Sequence, residues 1–128
     1  MYLETAEGSY ASEHGVSDEV WDAAVSWVLD NPAEVKSAVE ASYSAWVTGD
    51  FEELDRINSL HTPNTFEPIK RAVVTERNNL WLPRIRDLVQ SASEPTLVLV
   101  GAAHLGGPDG LVAQLAAYGL SLTVAAGQ

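Results

Sequence analysis

Apolar residues recur at every third or fourth position over residues 17–60, which is the spacing of one buried face of an α-helix. Ser17 is a candidate cap for a first helix, and Asn31 followed by proline at the first helical position opens a second. Gly49 suits the left-handed position that ends a helix. We therefore predict two or three helices, packed as a hairpin-like array that forms a helical insertion.

The longest helical pattern in the chain runs from Phe66 to Gln90. Pro83 lies inside this run and lacks the backbone N–H that a helix interior needs, so we expect it to kink the helix or divide it. Residues 65–128, from this helix onward, form the second part of what we predict to be a single domain over residues 1–128.

The pattern changes at residues 96–100, where Thr-Leu-Val-Leu-Val predicts a strand buried on both faces. Pro108 is expected to open a helix that Gly119 closes, and residues 120–124 offer a second strand. The predicted class is α/β, or α+β-like, with a helical array, a long helix and a strand-helix-strand unit. Because two strands alone are marginal in water, this unit should belong to a larger sheet, as in a fragment or a homo-oligomer.

Charge narrows the range of partners. The 128-residue chain has 18 acidic and 7 basic residues, a net charge of −11, so its field repels nucleic acid and anionic membranes. It has no cysteine, so any metal must be held by His, Asp, Glu or backbone oxygen. The N-terminus lacks the pattern of a signal peptide, and no stretch approaches the ~18 apolar residues of a membrane span. Localisation is left open.

The best candidate for chemistry is His104, just beyond the carboxyl end of the predicted buried strand, where open α/β sheets place ligands. Gly101 allows a sharp turn before it. A neutral imidazole there could bind a divalent cation or carry a proton. The alternative is a loop histidine that is hydrogen-bonded to a carbonyl group, since one histidine is no ligand set.

Two charged residues, Glu76 and Arg77, interrupt the apolar stripe of the long helix. Charges on a buried face are costly unless they are paired or engaged with a ligand. A structural ion-pair network and a functional site remain open readings of this pattern. The glycine-rich stretch of residues 106–110 lacks the spacing and the lysine of a phosphate-binding loop, so we interpret it as the turn that starts the next helix.

Three segments together carry a resemblance to a known family: Glu76-Arg77-Asn78-Asn79-Leu80-Trp81, the stretch from Leu97 to Leu111, and the terminal Tyr118-Gly119. This combination resembles the C-terminal signature of TraB/GumN proteins. The opening residues 2–7 resemble a segment from the middle of that family, so the resemblance spans nearly the whole chain. It implies that the family's N-terminal half is absent from this sequence.

The resemblance implies a metal-dependent, peptidase-like hydrolase built around two Gly-x-x-His motifs, of which residues 101–104 match the second. It implies catalytic roles for Glu76, Arg77 and His104, and a divalent ion (Mn, Co or Zn) held by His104 and Glu4. The substrate would be a peptide or a small molecule. With half of the site absent, the isolated chain would be inactive as an enzyme. The alternative is a non-catalytic module that binds a ligand or signal, or an inactive fragment.

Overall fold

A computed structural model describes residues 2–60, 63, 66–121 and 123. Within this part of the chain the architecture is helical, and a π-helical turn joins the fifth and sixth α-helices into one run. The helices are α1 (Ala6–His14), α2 (Asp18–Asp30), α3 (Pro32–Thr48), α4 (Phe51–Leu60), α5 (Glu67–Lys70), the π turn (Arg71–Thr75), α6 (Glu76–Ser91), a 3₁₀ turn (Ala102–His104) and α7 (Leu111–Ala117).

Local signals place several of these boundaries. The Asp50 side chain accepts a hydrogen bond from the Glu53 amide at 2.9 Å and so caps α4. Gly49 adopts φ 72° and ends α3, as its position in the sequence predicts. Pro83 lies inside α6 without dividing it, and the irregularity of the long run falls earlier, at the π turn. None of the described helices combines the length and apolar character that a membrane span requires.

Two apolar clusters of buried residues lie in the described part of the chain, one between α6 and α7 and one between α3 and α4. The first joins Trp81, Leu82 and Ile85 of α6 to Leu111 of α7, and Val98 and Val100 pack against it. The second joins Ala45 of α3 to Leu54 and Ile57 of α4, and Ala102 packs against it. The turn that carries His104 is therefore held between the two clusters, because the residues just before it touch both.

The predicted α/β class is wrong for the described residues, which contain no strand and hence no strand-helix-strand unit or sheet. Residues 96–100 are irregular, with Leu97 and Leu99 exposed at 89% and 87%. The physical reason is that β-branched composition favours a strand, but a strand forms only by hydrogen bonding to a neighbouring strand. Of the predicted second strand, Leu122 and Val124 lie outside the described residues, and the rest is irregular.

Candidate functional site

A groove with a volume of about 760 Å³ opens between the N-terminal segment, α6 and residues 96–101. Its lining includes four residues that the sequence singled out, namely Glu4, Arg77, Gly101 and His104, together with Trp81. Three distant parts of the chain meet here, because Glu4 lies 73 positions before Arg77 and His104 lies in the turn after α6. Polar groups that converge in one groove are the usual mark of a binding site.

A partly buried ion pair lies along one wall of the groove. Arg77 donates to both carboxylate oxygens of Glu4, with Nε 3.2 Å from Oε2, and Trp81 Nε1 donates to Oε2 at 3.2 Å. Both charged side chains are 20% exposed. Hydrogen bonding from Arg77 lowers the pKa of Glu4 below its ordinary value, against the opposing effect of burial. Glu4 is therefore a fixed anion whose lone pairs are largely engaged.

The imidazole of His104 lies beside this pair. His104 is 8% exposed, and its ring centroid lies 4.6 Å from that of Trp81, whose other neighbour is the Arg77 guanidinium at 4.8 Å. Burial lowers the pKa of His104, the positive charge of Arg77 lowers it further, and the negative charge of Glu4 raises it. The ring is accordingly neutral at pH 7, the form that can bind a metal or accept a proton.

Asn78 is a member of the site whose role the sequence analysis missed. Its side chain is fully buried, and Nδ2 donates to the carbonyl oxygens of His104 at 3.1 Å and Asp109 at 3.0 Å. Its Oδ1 lies 2.8 Å from His104 Nδ1. The sequence spacing could have revealed this role. Asn78 precedes the core residues Trp81 and Leu82 by three and four positions, which puts its amide on the buried face of the helix, where it needs hydrogen-bond partners.

The glycine-rich turn after His104 is tightly packed, which explains its composition. A Cβ on Gly106 would lie 1.8 Å from the Phe51 carbonyl oxygen, and one on Gly110 would lie 2.3 Å from two backbone oxygens. The stretch precedes a helix, as predicted, but α7 begins at Leu111 and not at Pro108. Close approach of backbones, and not anion binding, accounts for these glycines.

Glu76 is not brought into the groove. Its side chain is 53% exposed and pairs with Arg71, with Arg71 Nε 3.1 Å from Glu76 Oε1. Successive residues of an α-helix are rotated by about 100° around its axis, so Glu76 and Arg77 face different directions. Of the three residues predicted to be catalytic, the structure therefore brings Arg77 and His104 together and leaves Glu76 outside.

A divalent ion does not fit the described residues by themselves. No group of three His, Asp or Glu side chains in this part of the chain is arranged to hold one. His104 offers one nitrogen, and the Glu4 carboxylate is engaged by Arg77 and Trp81. A protein metal site generally needs at least three donors, so any ion here would depend on ligands from elsewhere.

Fold and site together define a helical protein that presents a buried histidine and a partly buried Glu–Arg ion pair in one open groove. The model of the TraB/PrgY/gumN family matches residues 1–124, and the chain belongs to this family. Comparison with the curated proteins and with the solved structures gives no match.

Proposed function

We propose that this chain supplies one side of the active site of a metal-dependent, peptidase-like hydrolase, with His104 as its functional imidazole. The observation that carries the proposal is the placement of His104, which is 8% exposed at the wall of a groove that also contains Arg77 and Glu4. Burial at this place lowers the pKa of the imidazole and so favours its neutral form. Neutral imidazole is the commonest metal ligand in proteins and the most frequent general base.

The chemistry assigned to the chain's own residues is limited. His104 contributes one nitrogen, which would ligate a divalent ion such as Mn²⁺, Co²⁺ or Zn²⁺ if other donors completed the set, and which could otherwise accept a proton from water. Arg77 keeps a positive charge at the groove wall, where it can attract a substrate carboxylate or carbonyl oxygen. Glu4 holds Arg77 in place and becomes a metal ligand only if that pair opens.

The remaining donors must come from outside the described residues, from another polypeptide segment or a second copy of the chain. The isolated chain is accordingly inactive or nearly so in this proposal. A peptide or small-molecule substrate is consistent with an open groove of this size. Glu76 has no assigned role here, because its carboxylate is paired with Arg71 outside the groove.

A second candidate is a non-catalytic module that binds a ligand or signal in the same groove. The observation in its favour is that Arg77 and Trp81 engage the Glu4 carboxylate and that the described residues lack a three-donor cluster. In that case the ion pair serves recognition, and metal binding by His104 is not expected.

Calorimetric titration with Zn²⁺ separates the two candidates. The wild type is compared with His104→Ala, and His14→Ala is the matched control. His14 is exposed on α1, where its ring stacks on Tyr10 and hydrogen-bonds to the Tyr10 carbonyl oxygen of the same helix. The hydrolase proposal expects a weak binding component, since His104 alone supplies a single donor, and this component should be lost in His104→Ala and kept in His14→Ala. Identical titrations for the wild type and His104→Ala would overturn it in favour of the non-catalytic module.

A further inference from the structure

Asn78 is positioned to control which nitrogen of His104 carries the proton. Its amide group contacts three partners at once: two backbone carbonyl oxygens and one imidazole nitrogen. The proposed function does not use this residue. We infer that Asn78 locks His104 in the Nδ1–H tautomer and thereby leaves the Nε2 lone pair as the reactive one, which makes Asn78 a positioning residue.

The orientation of the Asn78 amide follows from its carbonyl partners. The oxygens of His104 and Asp109 can only accept hydrogen bonds, so the amide group facing them at 3.1 and 3.0 Å must be the donor, Nδ2. The opposite orientation would put three oxygens together in a fully buried place, at the cost of unpaired polar atoms. Both hydrogens of the NH₂ group are thereby used.

The tautomer of His104 follows from that orientation. The remaining atom of the amide, Oδ1, carries no hydrogen and lies 2.8 Å from His104 Nδ1. A bond at this distance requires Nδ1–H to donate to Oδ1. In a neutral ring the other nitrogen then holds a lone pair, and among the described residues no hydrogen bond engages Nε2. Metal-binding histidines are commonly fixed in the same way, by a hydrogen bond from the nitrogen that does not bind the metal.

The same side chain also fixes the backbone of the turn. Asn78 bonds the carbonyl of His104 itself and that of Asp109 in the glycine-rich turn, so ring and backbone are held by one residue of α6. A hydrogen bond to the ring alone would not hold the backbone of the turn. The arrangement explains why an uncharged, short amide occupies this fully buried position.

The test is a long-range ¹H–¹⁵N correlation spectrum of the chain labelled with ¹⁵N-histidine, free of metal, at about pH 8, above the ordinary histidine pKa of about 6.5. The expected wild-type spectrum shows His104 with a protonated Nδ1 and an unprotonated Nε2. A protonated Nε2 would overturn the inference. This spectrum decides the tautomer without any variant, so an Asn78 substitution that fails to fold does not leave the question open.

Two serine variants then test whether Asn78 is the cause. In Asn78→Ser the His104 tautomers are expected to shift toward the mixture of free histidine, whereas Asn79→Ser, at the exposed neighbouring position, keeps the wild-type pattern. A folded Asn78→Ser variant with unchanged Nδ1–H would exclude the positioning role. The functional importance of this tautomer rests on the proposed function. The two are tested separately, because the metal-free spectrum reports the tautomer and the zinc titration reports metal binding.

Discussion

The ion pair between Glu4 and Arg77 should contribute measurably to stability, because it attaches the N-terminal segment to α6. In Glu4→Ala the Arg77 guanidinium and Trp81 Nε1 lose their shared acceptor. Breaking a fully buried pair costs about 3–5 kcal/mol, whereas an exposed pair contributes about 0–1 kcal/mol. With both side chains 20% exposed, an intermediate loss is expected, about 2 kcal/mol in the free energy of unfolding.

Urea denaturation followed by tryptophan fluorescence measures this loss, and a double-mutant cycle with Arg77→Met isolates the pair itself. The expected coupling energy is about 1–2 kcal/mol. The exposed pair of Glu53 and Arg56 on α4 provides the matched control, since its side chains are 38% and 57% exposed. Arg56→Met should lower the free energy of unfolding by clearly less than Glu4→Ala does, because solvent screens an exposed pair.

Two results would contradict a stabilising role for the Glu4–Arg77 pair. A loss in Glu4→Ala no larger than that in Arg56→Met would mean that the Glu4–Arg77 pair does not anchor the N-terminal segment on α6. A coupling energy near zero, with a substantial loss in each single variant, would mean that Glu4 and Arg77 stabilise the protein through separate contacts.

Three further perturbations follow from the same contacts. Gly106→Ala places a Cβ 1.8 Å from the Phe51 carbonyl oxygen, so it should cost more than about 2 kcal/mol by thermal denaturation; a wild-type melting temperature would contradict the packing of the turn. Arg77→Met frees the Glu4 carboxylate and should tighten any His104-dependent Zn²⁺ binding, whereas unchanged or weaker binding would contradict a role for Glu4 as a ligand. The pKa values of His104 and Glu4 are lowered, so both groups bind fewer protons folded than unfolded. The free energy of unfolding should fall as pH drops below about 6.5, where His104 becomes protonated, and again below about 4.5, where Glu4 does. His104→Ala should lose the first of these declines. A flat profile from pH 7 to 5 in the wild type would contradict the lowered pKa of His104.

Helix periodicity predicted much of the fold because an amphipathic helix is a local structure. The long run through Pro83 and the helix end at Gly49 are both visible in the chain's own pattern. The predicted strand at residues 96–100 failed for the converse reason, since strand pairing needs a second segment that the pattern cannot supply. Short helix α1 was missed because its sequence, Ala-Glu-Gly-Ser-Tyr-Ala-Ser-Glu-His, carries no apolar stripe.

Several residues of the groove were predictable from the sequence, but their contacts were not. His104 stood out because it follows the predicted strand, Arg77 because it interrupts an apolar stripe, and Glu4 came from the family resemblance. That Glu4 pairs with Arg77 across 73 positions is a matter of tertiary packing, which no local pattern encodes. Glu76 shows the limit of the reasoning, since a residue beside an apolar stripe can turn either way.

Paramagnetic relaxation by Mn²⁺ tests most directly whether His104 is the functional centre of the groove. Small additions of the ion to ¹⁵N-labelled protein broaden the resonances nearest to where it binds, even when binding is weak. We predict selective broadening at His104, Trp81 and Gly101, which should be abolished in His104→Ala and retained in His14→Ala. Broadening confined to acidic surface helices, with the groove resonances unchanged, would contradict the claim that this chain presents a metal-competent histidine.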